Sequence, residues 1–192
     1  MIYYHSDRIN LMKFVNYKSD QNIRNDIEPL YISSFPEEER PPVEMFFFFA
    51  LKEDNDIYGV YDNNSFIGFT NLLFYKDLCY LFFLAISPSY RNKGYGSQII
   101  QKIFKKYPDK TFILCFEEVD DKYSDNELRK RRRDFYYRNG FKENILKTCE
   151  YGVRYDTVYH GSHQVSFEDY LSMFVHCYGI MAKQYIKKAN KY

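Results

Sequence analysis

The sequence predicts an α/β fold: a meander of strands, a central strand–helix–strand unit, a further helix, then a final strand pair. Three observations carry this. Tyr80–Ile86 is a continuous apolar run of strand length. Ile99, Ile100, Ile103, Phe104 and Tyr107 follow it at helical spacing. Thr111–Phe116 is a second strand-like run, so two strands are joined through a helix.

The remaining elements follow in order. Leu11–Tyr17 reads as a first strand. Asp20 is a cap for a helix with Ile23, Ile27, Leu30 and Tyr31 on one face, and Pro36 ends it. Pro41 and Pro42 fit the first turn of a second helix carrying Val43, Phe46, Phe47 and Ala50. Four consecutive phenylalanines, Phe46–Phe49, cannot all face inward on a helix, so at least one is exposed or covers a cavity. Asp56–Tyr61 and Ser65–Tyr75 are strands joined at Asp62-Asn63-Asn64, and Leu78–Ile86 is the next strand. The helix at Gly96–Tyr107 stops at Pro108. Asp125–Arg138 is a helix closed by Asn139-Gly140, and Phe141–Cys149 and Gly152–Tyr159 form the strand pair. Ser166 with Asp169 marks a last helix, with Phe167, Tyr170, Leu171, Phe174, Val175, Tyr178 and Met181 at helical spacing.

Composition narrows the class. The chain has 192 residues, enough for one domain with an extension. A formal net charge of +1 argues against a general grip on nucleic acid, although Arg129–Arg133 is a local basic run. No apolar run is long enough to span a bilayer, and the N-terminus lacks the pattern of a signal peptide. Cys79, Cys115, Cys149 and Cys177 are widely spaced and form no Cys-x-x-Cys pair, which fits buried thiols in a reducing cytoplasm. His5, His160, His163 and His176 are scattered, so no metal is expected.

The stretch Ser87-Pro88-Ser89-Tyr90-Arg91-Asn92-Lys93-Gly94-Tyr95-Gly96-Ser97 joins the central strand to its helix. A helix start presents unpaired N–H groups and the positive end of a dipole. Glycines let an anion approach that backbone, and Arg91 and Lys93 add positive charge, so the turn is suited to a pyrophosphate. A Walker A loop is excluded because no lysine follows Gly96. A dinucleotide turn needs a glycine where Ile99 stands.

Arg91-Asn92-Lys93-Gly94-Tyr95-Gly96 resembles the Arg/Gln-x-x-Gly-x-Gly/Ala turn of the GNAT superfamily of N-acetyltransferases. Phe135-Tyr136-Tyr137-Arg138-Asn139-Gly140-Phe141 is similar to that family's Tyr-x-x-x-Gly-Phe helix end, in the family's order. Ser34–Arg40 also resembles a segment between the first two helices of small bacterial members. The resemblance implies a mixed, mostly antiparallel, V-shaped sheet flanked by helices, with acetyl-CoA as co-substrate. It implies that the backbone of Leu84, Ala85 and Ile86 meets the pantetheine arm, and that Arg91, Asn92, Lys93, Gly94, Tyr95, Gly96 and Ser97 hold the pyrophosphate. Tyr136 takes the place of the family's tyrosine, which protonates the departing thiolate. The amine must also lose a proton, yet Tyr80–Ile86 holds no acidic residue or histidine. Glu117 and Glu118 are next along the fold, and Glu117, or a water it holds, is the expected base. The first two helices border the acceptor site in the family, which makes Glu38, Glu39 and Arg40 the expected acceptor-binding residues. The family's asparagine before the tyrosine helix is replaced here by Leu128-Arg129-Lys130-Arg131-Arg132-Arg133, read as a solvated face.

Residues 1–160 are therefore expected to form the acyltransferase domain. Residues 161–192 form a C-terminal helical extension, packed on the same domain or on a partner subunit, which leaves room for a homodimer. The expected reaction is acetyl transfer to a primary amine of a small molecule or peptide. The competing expectation is a non-catalytic acyl-CoA-binding module on the same fold, kept open by the absent base.

Overall fold

The computed structural model describes residues 12–150, 152–184 and 186–189. Its strands are β1 (Lys13–Asn16), β2 (Asn55–Asp62), β3 (Ser65–Tyr75), β4 (Leu78–Ile86), β5 (Thr111–Glu117), β6 (Lys142–Glu150), β7 (Val153–His160) and β8 (Ile186–Lys188). Its helices are α1 (Arg24–Ser34), α2 (Val43–Phe49), α3 (Tyr95–Lys106), α4 (Asn126–Arg138) and α5 (Phe167–Tyr178). The strands are hydrogen-bonded in the order β1-β2-β3-β4-β5-β7-β6-β8. The β4–β5 pair, joined through α3, is parallel, with Leu78 opposite Thr111 and Tyr80 opposite Ile113. The sheet is mostly antiparallel, as the β1–β2, β5–β7, β6–β7 and β6–β8 pairs show.

The chain divides into two compact units, with β3 and β4 contributing to both. One comprises the chain up to Leu72 together with Phe83–Lys106. Its core is aromatic. Tyr31 of α1 stacks on Phe46 of α2 at 4.1 Å, and Phe83 of β4 meets both rings edge-on. Such ring pairs contribute about 0.5–1.5 kcal/mol each beyond the area they bury. Ile99, Ile100 and Ile103 bury one face of α3, while Lys105 and Lys106 complement the dipole at its C-terminal end.

The other unit comprises Leu73–Phe82 and the chain from Tyr107 onward. Here α5 lays Tyr170 and Phe174 against Tyr80, with Phe174 also edge-on to Phe82. Ser166 caps α5 by accepting from the Asp169 N–H at 3.1 Å. The β6–β7 register shifts between Glu143 and Lys147.

Several expected elements move slightly. The first strand begins at Lys13, and Leu11 lies outside the described residues. Asp20 caps a 3-10 turn, Gln21–Ile23, which leads into α1. Pro41 and Pro42 precede α2 and do not form its first turn. Pro42 sits at the N-cap with ψ 142°, and its carbonyl accepts the first helical bond from Phe46 at 2.9 Å. Of the four phenylalanines, Phe46 and Phe47 are buried and Phe48 is 66% exposed. The strand β8 was not expected, because Ile186-Lys187-Lys188 carries no alternating pattern. Its pairing opposite Thr148–Glu150 makes it a strand. Within residues 161–192, α5 therefore packs on β4 and β8 extends the sheet.

Candidate functional site

The end of β4 alternates, with Phe83 and Ala85 buried and Leu84 and Ile86 half-exposed. Gly68 of β3 permits close approach on one side: a Cβ there would stand 2.2 Å from the Ala85 carbonyl oxygen. Beyond Ile86 the chain makes a 3-10 turn, Pro88–Tyr90. Arg91 then folds back, its Nε donating to the Ile86 carbonyl at 3.0 Å. Asn92 and Gly94 adopt φ of 60° and 82°, the left-handed region that an ordinary side chain resists. The Gly94 carbonyl accepts from the Gln98 N–H at 3.1 Å and opens α3. Gly96 and Ser97 lie in its first turn, where N–H groups have no intrahelical acceptor.

Neighbouring side chains fix this turn. The Tyr95 hydroxyl donates to Asp62 at the end of β2 at 2.7 Å. Tyr95 meets Tyr90 edge-on, and the Lys93 ammonium lies 5.5 Å from the Tyr90 ring centre. Arg91, Asn92, Lys93 and Gly94 are exposed. A helix start with two cations on an exposed loop favours an anion such as a phosphate. The residues expected to hold a pyrophosphate are thus contiguous, and they border the half-exposed Leu84 and Ile86. The Ile86 carbonyl already accepts from Arg91.

Tyr136 and Glu117 belong to the other unit. The Tyr136 ring stacks on Phe116 at 5.9 Å and meets Phe135 and Phe141 edge-on. Burial pushes its phenol pKa up, against the lowering effect of the Arg132 charge. It is therefore protonated at neutral pH and able to donate. Its carbonyl accepts from Asn139 and Phe141 N–H groups, which ends α4. Glu117 accepts a hydrogen bond from Arg132. Glu118 is buried, which alone would raise its pKa, but Arg154 and Lys122 hold it below the usual carboxylate range. Other basic residues of α4 also have acidic partners: Arg129 with Asp125, Lys130 with Asp121 and Glu127, and Arg133 with Asp134.

Among the expected acceptor residues, Arg40 donates to the Phe35 carbonyl at 3.1 Å, and its guanidinium lies 5.3 Å from the Tyr31 ring centre. Glu39 is half-exposed, and the Glu38 side chain lies outside the described residues. Among the described residues, no cluster of three or more His, Cys, Asp or Glu is placed to hold a metal ion. Sequence reading passed over a buried polar cluster of Tyr80, Cys115, Glu150 and Tyr170. Its members lie up to 90 positions apart, so no local pattern announces them.

The central strand of this mixed sheet runs through the glycine turn into α3, and the fold and turn together can be compared with known proteins. A family model described as the acetyltransferase (GNAT) family matches residues 21–141, and the chain belongs to that family; it is an acetyltransferase. Solved structures show the same fold. A GNAT-family acetyltransferase from Bacteroides thetaiotaomicron is 22% identical, with a TM-score of 0.71 over 88% of this chain and 98% of its own. One from Elizabethkingia anophelis, solved with acetyl-CoA bound, is 13% identical, with a TM-score of 0.55 over 80% of this chain and 99% of its own. The aminoglycoside 6′-N-acetyltransferase of Enterococcus faecium is 16% identical, with a TM-score of 0.57 over 78% of this chain and 95% of its own. A comparison with curated proteins finds no match.

Proposed function

We propose that this protein transfers an acetyl group from acetyl-CoA to a primary amine on a small molecule or peptide, by direct attack on the thioester. The turn at Gly94 carries the reading: it sets left-handed backbone, a helix start and two cations where a pyrophosphate would dock. The pantetheine arm would lie along Leu84, Ala85 and Ile86, and the turn Arg91–Ser97 would take the phosphates. The thiolate leaves as the amine adds, and Tyr136 supplies its proton. Glu117, engaged by Arg132, orients the water through which the amine's proton departs. Glu38, Glu39 and Arg40 form the acceptor border, where carboxylates attract a cationic amine. Aminoglycoside acetyltransferases among the solved structures of this fold support a small polyamine-like acceptor. The four cysteines are free, which supports work in a reducing cytoplasm. Among the described residues, no helix is long and apolar enough to cross a membrane.

Calorimetric titration with acetyl-CoA tests the reading. Wild type should bind, and Gly94→Trp should abolish the heat while keeping the wild-type circular dichroism. Tyr136→Phe should bind normally and lose about 10²-fold in kcat, the usual contribution of a general acid. Equal binding by Gly94→Trp would move the cofactor elsewhere.

A further inference from the structure

The cluster passed over by sequence reading lies wholly within the unit that carries Tyr136. The Tyr170 hydroxyl of α5 is its hub. It donates to the Glu150 carboxylate of β6 at 2.5 Å. The Cys115 sulfur of β5 lies 3.3 Å from the same hydroxyl, and the Tyr80 hydroxyl of β4 lies 3.4 Å from it. Thr148 makes a second donation to Glu150 at 3.1 Å. Tyr170 is fully buried and Tyr80 is 3% exposed, while Cys115 and Glu150, at the two ends, keep some residue surface exposed although their thiol and carboxylate are buried.

A phenol has one proton to give, and the short bond assigns it to Glu150. The Tyr170 oxygen is then left to accept from Cys115, whose thiol carries a proton. The result is a directed chain of protic groups leading to one carboxylate. Cys115 and Glu117 are two residues apart on β5, so their side chains share a face of the strand. Of the cluster, Cys115 is the member two positions from Glu117 on the same strand, and a proton from a water at Glu117 would enter the chain there.

The alternative carboxylates are engaged with cations: Glu117 with Arg132, and Glu118 with Arg154, Lys122 and Lys147. No lysine or arginine pairs with Glu150 among the described residues. Opposite it stand Val153 of β7 and Ile186 of β8, and Lys187 of β8 stands opposite Cys149. Burial raises the Glu150 pKa above the usual carboxylate range, and the bonds from Tyr170 and Thr148 only partly offset this. Burial likewise raises the pKa of Cys115, Tyr80 and Tyr170, so these carry their protons at neutral pH.

We infer that Glu150 is the terminal acceptor of the proton released by the amine, reached through Cys115 and Tyr170. The inference rests on the acetyl-transfer reading. The amine N–H bond breaks, and its proton passes through the water to the Cys115 sulfur. The thiol's own proton moves to the Tyr170 oxygen, and the Tyr170 proton moves to the Glu150 carboxylate. One N–H bond is lost and one O–H bond is gained at Glu150, with no electrons exchanged. Glu150 returns the proton to solvent between turnovers. Tyr170 and Cys115 act through Glu150 and are positioning residues for the reaction.

Two measurements test this, and the first needs no acceptor. Difference infrared spectroscopy should show a protonated-carboxyl C=O band that persists to higher pH than an ordinary glutamate allows. The band should vanish in Glu150→Gln and shift in Tyr170→Phe. A wild-type spectrum with no band that Glu150→Gln removes would overturn the inference.

The second measurement is the pH–rate profile with kanamycin as the amine probe. The anionic carboxylate is the acceptor, so the rate should rise as pH rises through the Glu150 pKa. Glu150→Gln should erase that limb and lower kcat roughly 10²-fold, with acetyl-CoA affinity unchanged. Tyr170→Phe keeps the ring packing and should match it, and the double variant should be no slower than either single. An unchanged acidic limb in both single variants would sink the relay even if their melting temperatures fell. If Glu150→Gln fails to fold, Tyr170→Phe decides. Failure of wild type to acetylate kanamycin would reject aminoglycosides as the acceptor class. The relay would then stand or fall on the infrared band.

Discussion

Gly94 and Gly96 meet different demands. Gly94 holds φ at 82°, and the nearest atom to an added Cβ would be the Gln98 amide nitrogen at 3.8 Å. Space is available there; the backbone conformation is what excludes a side chain. Gly94→Ala should therefore cost about 1 kcal/mol of stability from the left-handed geometry. Gly96 is helical, and φ there is not positive. Gly96→Ala should leave stability unchanged or raise it by up to about 1 kcal/mol. If Gly96 is bare to admit a phosphate, that variant should still lose acetyl-CoA affinity. Denaturant unfolding beside calorimetry separates the two effects. Undiminished acetyl-CoA binding in Gly96→Ala would assign Gly96 no part in phosphate contact. The spacing of these glycines was legible in the sequence, whereas the different reason for each became visible only with backbone angles.

At the scale of elements, the end of β4 depends on how closely β3 approaches it. Gly68 makes that approach possible, since a Cβ there would also stand 3.0 Å from the Ile86 Cα. Neither contact is with a flexible side-chain tip, so the strands must part. Gly68→Ala should cost about 3 kcal/mol, at the upper end for overpacking. It should also weaken acetyl-CoA binding by displacing Ala85 and Ile86. Thermal unfolding and calorimetry on one preparation would check both, and wild-type values for either would show that the strands yield without penalty. Nothing in the sequence singles out Gly68, because the clash is with a strand 17 positions away. The helices were more legible. The faces of α3 and α5 follow apolar spacing, and the end of α4 follows from Asn139-Gly140.

For the molecule as a whole, the C-terminal segment bears on stability. In α5, Tyr170, Met173, Phe174 and Cys177 are buried, and β8 pairs with β6. Burying a Met or Phe side chain contributes roughly 1.5–3 kcal/mol. Losing four such side chains approaches the whole stability of a domain, about 5–15 kcal/mol. Deleting residues 161–192 should therefore give a protein without a cooperative thermal transition. A cooperative transition in the shortened chain would make the segment an appendage. In the full chain, α5 also supplies Tyr170, so truncation would break the chain of hydrogen bonds to Glu150.

The sequence by itself determined the order of elements as far as α5, the central strand–turn–helix and the family. These rest on local physics: apolar periodicity, capping residues and glycine spacing act within about ten positions along the chain. Tertiary structure alone decided which polar groups are engaged. It paired Glu117 with Arg132, turned Arg40 back onto Phe35 and Tyr31, and drew Lys187 into an edge strand. It also brought Tyr80, Cys115, Glu150 and Tyr170 together from strands β4, β5 and β6 and helix α5. Hydrogen bonding and desolvation depend on distance in space, and folding brings near what the chain keeps far apart.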